Sequence, residues 1–384
     1  MNAKTENAPI HVCIATGQNA ANFIPLQQYA AEEVWILETP SMKVSATNLA
    51  LALRSNGRCI ERKPLDDSSP AALTRSAEEM ATQLDGRHVV LHATGGTKLM
   101  VLALRDELRY IETGDGRLDI VYADTQRQQV DWLGDAPRSE AMADVIDLKT
   151  ILLLQGYRIE GDNRHQSALE RARASERAGI TRMLGDGASK YGSFLSALAS
   201  RGNRACAEQA RERDLWQRFD YAPGGAAAKL LLKAADAGLL RWDEDLELQF
   251  ADTDAAAYFA GGWIEEYALL KLSGSFEPER FSSNLQVKST EHGVPNELDA
   301  MAVHRNRALV IECKTGRQDN AAAALYKLAQ LRNQLGGSVA TALYLSAQPL
   351  KPEQLERAHD YRIEVLHAEE VAKLPKWLCD WKER

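Results

Sequence analysis

The stretch NELDAMAVHRNRALVIECKTG, residues 296–316, decides how the C-terminal part of the chain folds and what chemistry it can carry. Residues 297 to 304 and 307 to 314 are short apolar-rich runs separated by Arg305-Asn306, the pattern of an antiparallel hairpin with a tight turn. A symmetric hairpin closing there sets Asp299 directly opposite Glu312. Opposed side chains share a face, their Cβ atoms roughly 4.5 to 5.5 Å apart. The period of two puts Glu312 and Lys314 on that face, with Ile311 and Cys313 on the other, apolar side. Two carboxylates brought together repel unless a cation lies between them. Hard oxygen ligands on a rigid hairpin suit Mg²⁺ or Mn²⁺ better than zinc. The group therefore points to phosphodiester cleavage, with Lys314 orienting the attacking water or stabilising the transition state. The plain alternative is alternating charge on an exposed strand, and an odd-length turn would break the register.

Asn296-Glu297-Leu298-Asp299 followed by Glu312-Cys313-Lys314-Thr315-Gly316 resembles the core of the PD-(D/E)xK restriction-type nuclease superfamily, and Gly262-Trp263-Ile264-Glu265-Glu266 resembles the glutamate-bearing helix that precedes it. With Leu269 and Leu272 at i+4 and i+7, Glu265 falls on an apolar stripe and is expected to face the sheet, ahead of Glu266. The resemblance implies Asp299, Glu312, Lys314 and Glu265 as catalytic residues, and Asp299, Glu312 and the backbone carbonyl of Cys313 as metal ligands.

The other end of the chain carries a second signal. His88 to Ala93 reads as a buried strand running into Thr94-Gly95-Gly96-Thr97-Lys98, after which Val101 to Tyr110 reads as a helix. A strand, a glycine turn and a helix N-terminus make an anion site, to which Thr97 and Lys98 add a hydroxyl and a charge. The spacing is not that of a Walker A loop. The strand Ile10 to Ala15 opens likewise into Thr16-Gly17-Gln18-Asn19, and Val34 to Leu37 ends at Glu38-Thr39-Pro40-Ser41. All three turn polar at their carboxyl ends, where open α/β sheets bind ligands. Singly each could be an ordinary βα turn. Together they resemble the CARF domain, the CRISPR-associated Rossmann-like sensor of cyclic oligoadenylates.

A CARF-like N-terminus joined to a PD-(D/E)xK core resembles the ancillary nucleases of type III CRISPR systems. That resemblance implies cyclic tetra-adenylate as activator, bound by Thr16, Gly17, Gln18, Asn19, Ser41, Thr94, Gly95, Gly96, Thr97 and Lys98. It also implies a homodimer sharing one ligand, and metal-dependent cutting of DNA or RNA in antiviral defence. Two rivals are a ligand-independent nuclease of restriction or repair type and a non-enzymatic, nucleotide-sensing DNA-binding regulator.

The chain has 384 residues, enough for two or three domains with cores. Five scattered cysteines without a C-x-x-C pair argue for a reducing cytoplasm and against zinc or a disulfide framework. Neither a signal peptide nor a membrane span is expected. A net charge of -8 argues against constitutive binding of duplex nucleic acid, so contacts with a backbone must be local. Lys288, Arg305, Arg307 and Arg317 are the candidates near the hairpin, with His292 and His304 close by. The arginines of the middle, Arg171 to Arg213, interleave with acids and read as a solvated helical surface.

The expected architecture is α/β throughout: a Rossmann-like sensor over 1–145, a helical, winged-helix-like connection over 146–255, and a restriction-endonuclease-like α/β/α domain over 256–384. Within the middle, Ala226 to Leu240 is an amphipathic helix followed by two short strands around the acidic turn Asp243 to Asp245. That acidity suits a dimerising or relay module better than a DNA reader.

Overall fold

The structure, a computed structural model, describes residues 8–384 apart from 55–56, 135, 161–162, 292, 294, 317–320 and 337–338. His292 and Arg317 lie outside the described residues.

The first sheet has seven strands: β1 (Ile10–Ile14), β2 (Glu33–Glu38), β3 (Cys59–Pro64), β4 (His88–His92), β5 (Arg117–Asp124), β6 (Gln129–Leu133) and β7 (Arg138–Ala141), ordered β3-β2-β1-β4-β5-β6-β7. The first five run parallel and the last two antiparallel. β1 and β4 are near-continuous apolar runs because helices cover both faces. The helices Ala20–Gln28 and Lys43–Leu53 pack on the side of Cys13, Val34 and Ile36. Pro70–Gln83 and Lys98–Leu108 pack on the side of Val12, Ile14 and Leu91. The strand order reverses between β1 and β4, so their carboxyl ends open a crevice at the topological switch point.

β8 (Tyr157–Ile159) lies in the segment expected to be a connection, yet it pairs with a strand of the C-terminal sheet. The helices Ala178–Asp186 and Ser193–Ala205 then share one apolar core with the C-terminal part of the chain. β9 (Trp216–Arg218), β10 (Leu240–Trp242) and β11 (Glu247–Phe250) form a small sheet ordered β10-β11-β9 beside the helix Gly225–Asp236, a winged-helix-like unit with one strand more than the sequence suggested. Arg201 corrects the reading of a solvated arginine surface: it is buried, donating to the carbonyls of Ala197 and Arg218 and pairing with Asp220.

The last sheet is ordered β16-β15-β14-β13-β12-β8, with β12 (Phe281–Ser289), β13 (Pro295–His304), β14 (Arg307–Lys314), β15 (Ala340–Ser346) and β16 (Ile363–His367). The helices Trp263–Ser273 and Leu374–Glu383 cover one face, and Ala321–Leu335 and Pro352–Asp360 the other. This is the α/β/α layering expected.

Candidate functional site

The β13–β14 turn is two residues long, and both Arg305 and Asn306 adopt left-handed backbone, with φ of 48° and 59°. Such a turn matches the twist of the strands and fixes their register. The pairs run from His304–Arg307 to Ala300–Ile311, which is the register that aims Asp299 at Glu312. Beyond the last pair, Asp299 Oδ2 accepts the Cys313 N–H at 2.7 Å. Lys314 Nζ lies 2.5 Å from Glu312 Oε1, 3.1 Å from the Cys313 carbonyl oxygen and 3.7 Å from Asp299 Oδ2. One ammonium thus touches the three oxygens named as metal ligands.

The electrostatics follow from burial. Glu312 is 6% exposed, and burial with Asp299 beside it raises its carboxyl above the ordinary range despite Lys314. Burial alone would lower the Lys314 ammonium, but Glu312 and Asp299 outweigh it and hold it above its usual value. Glu265 is pushed up to about 8 by burial and by Asp299, Glu297 and Glu312, with Lys314 opposing. Glu266 looks elsewhere: burial takes it to about 7 against the pull of Arg177, and Thr181 donates to it.

Glu265 feels the hairpin carboxylates, but its helix packs on the face of Ile311 and Cys313, whereas Val310 and Met301 belong to the opposite core. It therefore approaches around the end of the sheet. Among the described residues no three His, Cys, Asp or Glu side chains gather at one point. The donor set present is two carboxylates and a carbonyl around a cationic group, hard oxygens that fit Mg²⁺ or Mn²⁺ in chemistry.

The other basic residues do not join this group. Arg305, Arg307 and His304 sit at the turn, five residues from Asp299 and so about 16 Å away along the strand. Arg307 donates to the carbonyls of Trp381 and Lys382, and His304 packs against Phe276 and Trp381. Lys288 pairs with Glu160. Asn306, whose role the sequence did not reveal, is buried: its Oδ1 accepts the N–H groups of Val145 and Ile146 and its Nδ2 donates to Ala143 O, tying the turn to the chain just after β7.

At the other end, the loops after β1 and β4 meet at the switch point. Gly95 packs so closely that a Cβ there would lie 2.2 Å from the Ile14 carbonyl oxygen, and Gly96 takes a φ of 75°. Several predicted ligand residues hold the loops in shape. Asn19 is buried, its Oδ1 accepting the Thr16 N–H and its Nδ2 donating to Ser45 O. Thr94 Oγ1 accepts the Ala123 N–H, and Thr97 Oγ1 caps the following helix at Met100 N. Ser41 Oγ lies 3.1 Å from Thr39 Oγ1. Gly17, Gln18, Gly96 and Lys98 are exposed around this frame. Asn22, missed in the sequence, is buried and donates to Ile14 O beneath Gly95; its signal was an asparagine inside an apolar helical run.

Residues 252–384 match the family model of the Card1-like endonuclease domain. The hairpin, the Glu265 helix and β12 to β16 all lie inside it, and the protein is an endonuclease. The whole fold is similar to that of Can2 from Sulfobacillus thermosulfidooxidans, a structure in complex with cyclic tetra-adenylate, with a TM-score of 0.76 and 25% identity over 97% of this chain and 99% of that one. It is also similar to the protein VC1899 from Vibrio cholerae, with a TM-score of 0.79 and 22% identity over 98% of each chain, a likeness of fold. No curated protein matches the chain. No helix among the described residues is long and apolar enough to cross a membrane.

Proposed function

We propose that this protein is an endonuclease switched on by a cyclic oligoadenylate, cyclic tetra-adenylate in particular, and that it cuts DNA or RNA in type III CRISPR antiviral defence. The observation that carries the reading is one chain joining a Card1-like endonuclease domain to a sheet whose switch-point crevice is lined by Thr16–Asn19 and Thr94–Lys98, in a fold similar along its length to a protein solved with that ligand. In this reading residues 1–145 sense the ligand, 146–255 relay and 256–384 cut.

Asp299, Glu312 and the Cys313 carbonyl would hold a Mg²⁺ or Mn²⁺ ion, which supplies Lewis acidity toward a phosphodiester. Lys314, freed from Glu312, faces the developing negative charge or orients the attacking water. Before an ion binds, burial and the neighbouring carboxylates hold the Glu265 carboxyl near 8, so it adds no third negative charge to the empty pair. At the crevice, the exposed Gly96, the first turn of the following helix and Lys98 suit ligand phosphates. Two protomers would share one ring. The ligand can activate only by binding the closed dimer better than the open one.

The test is cleavage of labelled single-stranded DNA, single-stranded RNA and supercoiled plasmid with Mn²⁺ or Mg²⁺, with and without cyclic tetra-adenylate, beside Glu312→Ala. Cutting that needs both ligand and Glu312 is the expected result. Cutting without ligand overturns the gating, and cutting by Glu312→Ala overturns the site.

A further inference from the structure

β12 and β13 pair in one register from Phe281–Ala302 to Lys288–Pro295, with a single gap: Asn284 stands where a partner for Asp299 is due. Asn284 has a φ of 46°, left-handed backbone in the middle of a strand. No residue is inserted, since the register is the same on both sides of it. The consequence is a change of sides. Phe281, Ala300 and Ala302 pack into the core beneath the Glu265 helix, whereas Leu285, Val287 and Leu298 pack into the opposite core. A side switch explains the left-handed backbone, which glycine would adopt most easily. Asparagine is also among the residues with a Cβ that tolerate it best, so the backbone accounts for the residue type and the surroundings of its side chain must show any further role.

Asn284 lines a cleft of about 410 Å³ together with Glu265, Glu266, Asp254, Asn203, Arg173 and Arg177. Its other wall is the π-helical turn Tyr258–Gly262, a second irregularity directly before the Glu265 helix. That turn is pinned from two sides: Thr315 donates to Ala260 O, and a Cβ on Gly202 would lie 2.7 Å from Ala260 N. Two departures from regular backbone, one opposite Asp299 and one beside Glu265, thus face a single cleft whose walls hold the amides of Asn284 and Asn203 and the ion pairs Arg173–Asp254 and Arg177–Glu266. Among the described residues the Asn284 amide makes no hydrogen bond. Local strain of this kind collects where a side chain must be aimed at a ligand.

We propose that this cleft receives the nucleotide of the substrate strand next to the scissile phosphate, and that Asn284 is a substrate-positioning residue whose amide hydrogen-bonds it. The proposal rests on the reading of Asp299, Glu312 and Lys314 as the cutting centre. Arg173, paired with Asp254 but 60% exposed, lies at the rim where the backbone would pass, and an amide can donate and accept toward a base edge at once.

The experiment uses the full-length protein with ligand, Mn²⁺ and a labelled single-stranded substrate library, comparing wild type, Asn284→Gly, Asn284→Asp and Glu312→Ala. Asn284→Gly keeps the left-handed backbone and removes only the amide. It is expected to melt like wild type, keep the same dependence on Mn²⁺ and activator, lose about ten- to hundredfold in kcat/KM and change the nucleotide preference beside the cut. Asn284→Asp, which puts a carboxylate in the path of the strand, is expected to be slower still. If Glu312→Ala is dead while Asn284→Gly cuts at the wild-type rate with the wild-type preference, the positioning role is wrong. If Glu312→Ala cuts, the catalytic reading beneath it is wrong instead.

Discussion

Lys314→Met keeps the length of the side chain and removes its charge from the centre of the hairpin site. The ammonium lies 2.5 Å from one carboxylate oxygen and 3.7 Å from another. At an effective dielectric near 20 those contacts are worth roughly 4 to 7 kcal/mol each in gross Coulomb terms. The Lys314 side chain is 38% exposed, and solvent screening and the cost of burying the charges reduce the net loss to about 1–3 kcal/mol. Without any divalent ion, Asp299 and Glu312 then face each other with no cation. Lys314→Met is expected to melt a few degrees below wild type in EDTA. It should also gain more from Mn²⁺ than wild type does, because ion and ammonium compete for the same three oxygens, while cleavage is lost. Thermal unfolding in EDTA and across a Mn²⁺ titration reads both effects. Equal melting temperatures in EDTA together with equal Mn²⁺ responses would refute the reasoning, since the ammonium would then hold nothing in place.

Other perturbations test the remaining joints. Glu265 keeps its proton when folded up to about pH 8 but loses it near 4.5 when unfolded, so in EDTA stability should fall as pH rises through that window, by up to about 5 kcal/mol. Denaturant unfolding of Glu265→Gln should lack this slope. Gly95→Ala pushes a Cβ to 2.2 Å from Ile14 O, costs about 1–3 kcal/mol and displaces the loop; calorimetric binding of cyclic tetra-adenylate should weaken more than tenfold while the Mn²⁺ response is unchanged. Asn306→Gly keeps the left-handed turn and leaves the N–H groups of Val145 and Ile146 without their acceptor, at about 2–4 kcal/mol; ligand-stimulated cutting should fall relative to basal cutting if that tie carries the signal. His11 and His92 touch at 2.9 Å inside the first sheet, and burial holds His11 at about 4, so folded protein resists protonation that the unfolded chain accepts near 6.5. Stability should therefore decline from about pH 6.5 toward 4, and His11→Gln should flatten that decline in a pH series of melts.

Much of the fold was legible because apolar runs and turn residues carry it locally. β1, β2 and β4 stood out as buried runs, and the hairpin register followed from a two-residue gap. β3 did not, because Cys59–Pro64 is an edge strand of mostly exposed polar residues and has no apolar period to read. β8 was lost for a related reason: three residues in a helical neighbourhood become a strand only because β12 offers an unpaired edge. At the site, Asp299, Glu312 and Lys314 were readable from their alternation. The distance of Arg305 and Arg307 from them was not, since nearness in sequence across a turn is remoteness along a strand.

The sequence by itself determined which groups could do chemistry and how the hairpin would pair them, because register, turn type and side-chain face are set within about ten residues. Only the tertiary structure decided that Glu265 comes around the end of the sheet, that Asn19, Thr94 and Thr97 brace the loops of the crevice, and that Asn306 and Asn284 are special at all. Those properties depend on which surface packs against which, and burial turns an ordinary amide into a tether or an aimed donor only once distant segments have closed around it.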